Sequence, residues 1–156
     1  MMLPKKWTLR ARGKQVVFVK HRNEAPEQVV MRALLWALYL PLYPDLGVEL
    51  TVEQRYRPDV VSLNLQGRPS FWGHAGDMSI RQIRDMAKRY RDAHLALACW
   101  AEDLDRFEGR VRKALRKVKR DAPVDVISFP EDSLERFVSP EGTLFVSRDD
   151  VAWVRL

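Results

Sequence analysis

Asp59, directly after Pro58 and at the head of the apolar run Val60-Val61-Ser62-Leu63, is the carboxylate in this chain best placed to do chemistry. Cutting a phosphodiester requires a divalent ion that generates hydroxide and offsets charge on the in-line transition state. Magnesium takes hard oxygen ligands, so two carboxylates have to converge from neighbouring strands. A lysine or arginine nearby then steadies the water or the scissile phosphate. Other residues of suitable type are Glu24, His74, Asp77 and the cations Arg81, Arg84 and Lys88. Those three cations lie three and four residues apart and share one helical face. Each residue also has a plainer role. Asp59 can be a turn residue bonded to nearby backbone, and His74 beside Trp72 a half-buried histidine with satisfied partners. Glu24 can serve as a first-turn dipole partner, Asp77 as a helix cap, and Arg81, Arg84 and Lys88 as a solvated face.

The elements that must position these residues follow from periodicity. Trp7–Arg10 and Val16–Val19 flank Arg12-Gly13-Lys14 and predict a β-hairpin with a glycine at its tip. A helix runs from the Glu24-Ala25-Pro26 entry to about Leu40, apolar on nearly all faces, and stops at Pro41 and Pro44. Val48–Glu53, Asp59–Leu65 and Ser70–His74 then predict an antiparallel three-strand meander turning at Gln66-Gly67-Arg68-Pro69. Asp77 or Ser79 caps a second helix reaching about Arg91, with Ile80, Ile83, Ala87 and Tyr90 on its apolar face. Leu95–Trp100 is an unbroken apolar run, expected as a central strand covered on both faces. Asp103 and Asp105 open a third helix with Phe107, Val111, Leu115 and Val118 inward. Val124–Phe129 is a strand, and Thr143–Val146 and Val151–Val154 are expected to close the chain as a terminal pair.

The run Arg106 to Arg120 holds eight cations, among them Arg110, Lys113 and Lys117, against the single acid Glu108. With the apolar stripe facing inward, these cations predict a surface suited to a phosphate backbone and blind to base sequence. A solubilising helix with cations near its negative end is the equal alternative.

Composition bounds the rest. The chain of 156 residues is expected to form one domain, residues 1–156, large enough to bury a core unaided. A net charge of +6, from 27 basic and 21 acidic residues, favours a polyanion, DNA or RNA, as partner. Cys99 is the one cysteine, so an internal disulfide and a thiolate metal cluster are excluded. Its neighbours Ala96-Leu97-Ala98 and Trp100 predict a small buried hydrophobe. The opening residues lack the apolar region of a signal peptide. The longest apolar stretch, Val29 to Leu42, is interrupted by Arg32 and is too short for a membrane span. A cytoplasmic location is expected. The chain contains no glycine-rich phosphate loop, Gly-x-Ser-x-Gly elbow or His-Glu-x-x-His helix.

Taken in order, the Glu24-to-Leu40 helix, Pro58-Asp59, Trp72-Gly73-His74-Ala75-Gly76 and the Ser79-to-Tyr90 helix resemble the core of the PD-(D/E)xK nuclease superfamily. More closely they resemble its YaeQ-type branch, and the resemblance covers most of the chain. It implies a restriction-endonuclease-like α/β core of helix, three-strand meander, helix and strand, extended by the N-terminal hairpin and C-terminal helix and strands. It also implies a divalent metal, magnesium or manganese, on Asp59 and the position two residues before a glycine, with Glu24 in support. The basic group of this branch, on the following helix, would be Arg81, Arg84 or Lys88.

The sequence departs from that pattern where it matters. The second carboxylate position is His74, and a neutral imidazole suits manganese, zinc or iron better than magnesium. The parent motif's lysine position is Gly76. Three functional readings follow: a nucleic-acid-associated protein with a decayed or remodelled hydrolytic site; an active nuclease with Asp59 plus His74, Asp77 or Glu24 as an altered ligand set; and a protein-interaction domain using neither. The first leads, with no magnesium-dependent cleavage expected.

Overall fold

The computed structural model describes residues 5–48 and 56–156. Strands β1 (Lys6–Ala11) and β2 (Lys14–Val19) form the expected hairpin. Its two-residue turn puts Arg12 and Gly13 at φ of 49° and 78°, the left-handed pair that matches strand twist in a two-residue loop. Helix α1 (Pro26–Tyr39) starts on a proline, as a first turn allows. Every residue from Val29 to Tyr39 is buried, the outcome for a helix that is apolar all round.

Six strands make one mixed sheet: β3 (Gly47–Val48), β4 (Val60–Leu63), β5 (Pro69–Ala75), β6 (His94–Trp100), β7 (Val124–Phe129) and β8 (Ala152–Arg155), in that spatial order. β3, β4 and β5 are successively antiparallel, so the meander is present. Residues 49–53 of its expected first strand lie outside the described residues. β5, β6 and β7 run parallel, joined through helices α2 (Ile80–Arg89) and α3 (Leu104–Ala114), and β8 returns antiparallel. Period-two alternation divides the central strands between two cores. Ala96 and Ala98 of β6 join the core built on α1 and the hairpin, while Leu95, Leu97 and Cys99 join that of α2 and α3. Cys99 is buried, as expected.

Two expectations are corrected here. Thr143–Val146 does not pair with Val151–Val154. Thr143 instead bridges Arg10 and Leu144 bridges Val138, while β8 pairs with β7. β7 would otherwise present an open row of backbone donors and acceptors, and β8 fills that edge. The short helix α4 (Ser133–Phe137) lies between. Secondly, Arg106 to Arg120 is not one helical face. α3 ends at Ala114, Leu115 is its C-cap, and Lys117 takes φ of 59°. Arg116 to Arg120 therefore leave the helix, because the left-handed turn redirects the chain towards α2.

Candidate functional site

The end of the sheet where β4 begins and β5 finishes brings Asp59 and His74 together. Val60 pairs with Gly73 across β4 and β5, and the Asp59 N–H donates to the Gly73 carbonyl at 2.9 Å. The Asp59 side chain therefore sits at the tip of β5. Its Oδ2 accepts the Ala75 N–H at 2.7 Å, and His74 Nδ1 lies 3.6 Å from the same oxygen. Burial pushes the His74 pKa below its ordinary value, with the Asp59 charge and the backbone at Asp77 offsetting part of that.

The residue that organises this site is Arg32, on α1. Its Nε donates to Asp59 Oδ1 at 3.1 Å, and its Nη2 is ion-paired to Glu24. A third bond runs from Nη1 to the Val19 carbonyl at 3.4 Å. Arg32 is only 5% exposed. Burial alone would lower its pKa, but the Asp59 and Glu24 carboxylates outweigh that and hold it above the ordinary arginine value. Glu24 is fixed in turn by the His21 N–H, 3.2 Å from Oε1.

One turn before Arg32, Gln28 donates to the Ala75 carbonyl at 2.6 Å and closes over Gly76. Gly76 has φ of 105°, and a Cβ built on it would stand 2.7 Å from Gln28 Oε1. The left-handed backbone therefore opposes a side chain at Gly76, whereas the Gln28 amide, the far end of a flexible side chain, can swing aside only by giving up its bond to Ala75.

This donor set does not fit a hard divalent ion. Magnesium needs converging oxygen ligands, yet the Arg32 guanidinium bonds both Glu24 and Asp59 and supplies fixed positive charge between them. Each Asp59 oxygen already accepts a hydrogen bond. Among the described residues no three His, Cys, Asp or Glu side chains gather as a metal cluster.

The other expected residues lie elsewhere. Ser79, not Asp77, caps α2, in a reciprocal box with Gln82, and Asp77 is exposed. Arg81 and Lys88 are exposed and line a cleft of about 340 Å³ with Tyr56, Gln82, Arg84 and Asp85. A smaller cavity of about 140 Å³, bordered by His74 and Asp77, shares Tyr56 and Gln82 with it. Arg84 directs its guanidinium to the carbonyls of Ala114 and Lys113, at 3.0 and 2.9 Å. Arg110 is paired with Glu102, while Lys113 and Lys117 are exposed on and after α3.

Arg32 and Gln28 were not singled out by sequence reasoning. Their signal is the fourfold spacing of Gln28 and Arg32, which puts two polar groups on one face of a largely apolar helix, with Glu24 just ahead of its first turn. A second buried network also escaped. Asp125, fully buried at the opposite end of the sheet, accepts from Tyr39 Oη at 2.7 Å and from Arg155 Nε at 2.7 Å. His94 Nε2 is 2.7 Å from its Oδ2, and Tyr43 Oη is 2.9 Å from His94 Nδ1.

The class this architecture defines is a mixed α/β fold with a six-stranded sheet and four α-helices among the described residues. No protein-family model and no curated protein matches the chain. Solved structures do. A YaeQ protein from Pseudomonas syringae aligns with a TM-score of 0.61 and 22% identity, covering 85% of this chain and 74% of that one. The YaeQ protein from Xanthomonas axonopodis pv. citri aligns with a TM-score of 0.62 and 16% identity, covering 92% and 82%. The fold is thus that of the YaeQ structures. None of the described helices is long and apolar enough to cross a membrane.

Proposed function

We propose that this chain is a nucleic-acid-associated protein of PD-(D/E)xK nuclease fold, YaeQ-like, whose hydrolytic site has been remodelled into a buried ion-paired support. The observation that carries the reading is Arg32 bridging Glu24 and Asp59. A guanidinium there neutralises the two carboxylates that a nuclease would commit to its metal. Gly76, with Gln28 across it, removes the lysine that would steady the attacking water. The net charge of +6 and the exposed Arg81, Lys88, Lys113 and Lys117 support a phosphate-rich partner. A cytoplasmic location accords with the single buried cysteine.

The test is incubation of the purified protein with DNA and with RNA in magnesium. No cleavage above background is expected, alongside salt-dependent binding to both. Magnesium-dependent cleavage abolished by Asp59→Asn would overturn the remodelled site. Replacing Lys113 and Lys117 with glutamine should weaken binding to unrelated sequences alike and lower the salt slope by about one unit per lost phosphate contact.

A second reading, an active nuclease with an altered ligand set, is favoured by one observation, the 3.6 Å approach of His74 Nδ1 to Asp59. Cleavage with manganese alone, lost on His74→Ala, is its signature.

A further inference from the structure

The cleft on α2 has the dimensions and chemistry of a seat for one nucleotide. We infer that it takes an unpaired nucleotide, base against the Tyr56 ring and its two flanking phosphates at Arg81 and Lys88, so that the partner is single-stranded nucleic acid. This rests on the nucleic-acid reading above and specifies its substrate class.

Size is the first argument. A volume of about 340 Å³ lies at the small-ligand end of binding pockets, which start near 300 Å³. It suits one base and its phosphate. A duplex instead needs an extended surface touching many phosphates.

The lining supplies the second. Tyr56 is half-buried, and its hydroxyl donates to Asp85 at 2.5 Å, which fixes the ring and engages the one acid of the cleft. A fixed aromatic face stacks any base that is free to turn towards it, whatever its identity. A paired base keeps its faces inside its own stack.

The cations supply the third. Arg84 is bonded to the end of α3, Arg110 to Glu102 and Arg112 to Glu108. Arg81 and Lys88 make no ion pair among the described residues. They stand two helical turns apart, roughly 10.5 Å along the axis, and both line the cleft. Gln82 spends its Oε1 on the Ser79 N–H, which leaves its amide N–H groups for a base edge or phosphate oxygen. The adjoining cavity beside His74 extends the path towards the tip of β5.

The experiment is fluorescence anisotropy on the full chain with labelled single-stranded DNA, single-stranded RNA of the same sequence, and the DNA duplex. At least one single strand is expected to bind about tenfold or more tighter than the duplex. Tyr56→Ala should lower that affinity about tenfold, the scale of one stacked base, while Tyr56→Phe, which keeps the ring but releases Asp85, should lower it distinctly less. Arg81→Gln with Lys88→Gln, both exposed and without structural bonds, should lower the single-strand salt slope by about one unit each. Equal binding of strands and duplex would overturn the inference. So would an unchanged salt slope in the Arg81/Lys88 double variant, even if Tyr56→Ala fails to fold. Absence of binding to all three probes would instead bring down the nucleic-acid reading itself.

Discussion

Arg84 and Arg120 each close the helix to which the other belongs or which it follows. Arg84, on α2, donates to the Ala114 and Lys113 carbonyls at the end of α3. Arg120, beyond α3, donates to Ala87 at 2.7 Å, Tyr90 at 3.0 Å and Ala93 at 2.5 Å, the carbonyls at and just past the end of α2. The last carbonyls of a helix have no partner within it, so each arginine satisfies acceptors that packing has removed from water. Burial pulls the Arg120 pKa below its ordinary value, with Asp121 and Asp92 offsetting part of the effect. Two residues of the cationic run and the α2 face are thereby committed to architecture.

Arg120→Ala should therefore cost stability, about 2–3 kcal/mol, since charge-assisted hydrogen bonds to buried carbonyls are lost together. Arg120→Lys should recover a minor part, because a single ammonium cannot reproduce the planar fork. Urea unfolding followed by tryptophan fluorescence measures both. An unchanged midpoint in the alanine variant would show that the exchange carries no energetic weight.

Arg32→Met should be the more damaging change. It leaves the half-buried Glu24 and Asp59 without a countercharge, which should cost somewhat less than the roughly 3–5 kcal/mol of a fully buried broken pair. Adding Asp59→Asn should return part of the loss, since it removes one of the two stranded charges. A double-mutant cycle in urea reports this coupling, and strictly additive costs would contradict the bridge.

Acid should act on the other end of the sheet. Burial would raise the Asp125 pKa, but hydrogen bonds from His94, Arg155 and Tyr39 prevail and hold it well below the usual carboxylate range. The unfolded chain, with an aspartate near 3.9, then binds the proton more readily than the folded one. Asp125 thus contributes stability in full above about pH 4, and that contribution is lost as pH falls through the folded value. Thermal unfolding should show a steeper loss of Tm below about pH 4 in the wild type than in Asp125→Asn. Parallel curves would remove Asp125 from the acid response.

Much of this was legible before any coordinates. Alternating residues, Gly13, and the Gln66–Pro69 turn define the hairpin and meander, and once Val60 faces Gly73 the approach of Asp59 to His74 follows. The end of α3 was hidden because Leu115 and Val118 continue a helical stripe; the stop is set by a turn at Lys117 and by Arg84, thirty residues earlier. β8 was misassigned because strand patterns carry no partner. Nothing local in Ala152–Arg155 says that β7 is the edge it completes. Arg32 read as an interruption in an apolar helix. Its partner Asp59 is 27 residues away and is met only through the way α1 crosses the sheet.

Gly76 makes a lysine hard to install at this site. A lysine there meets a backbone at φ of 105°, and the flexible end of Gln28 has to swing aside. Displacing Gln28 forfeits its bond to the Ala75 carbonyl, and the backbone strain stays. Arg32 would still hold both carboxylates. A set of free carboxylates and a lysine is therefore several substitutions away from this site, and the one at Gly76 is by itself a loss of stability, a valley that one-at-a-time substitution does not cross.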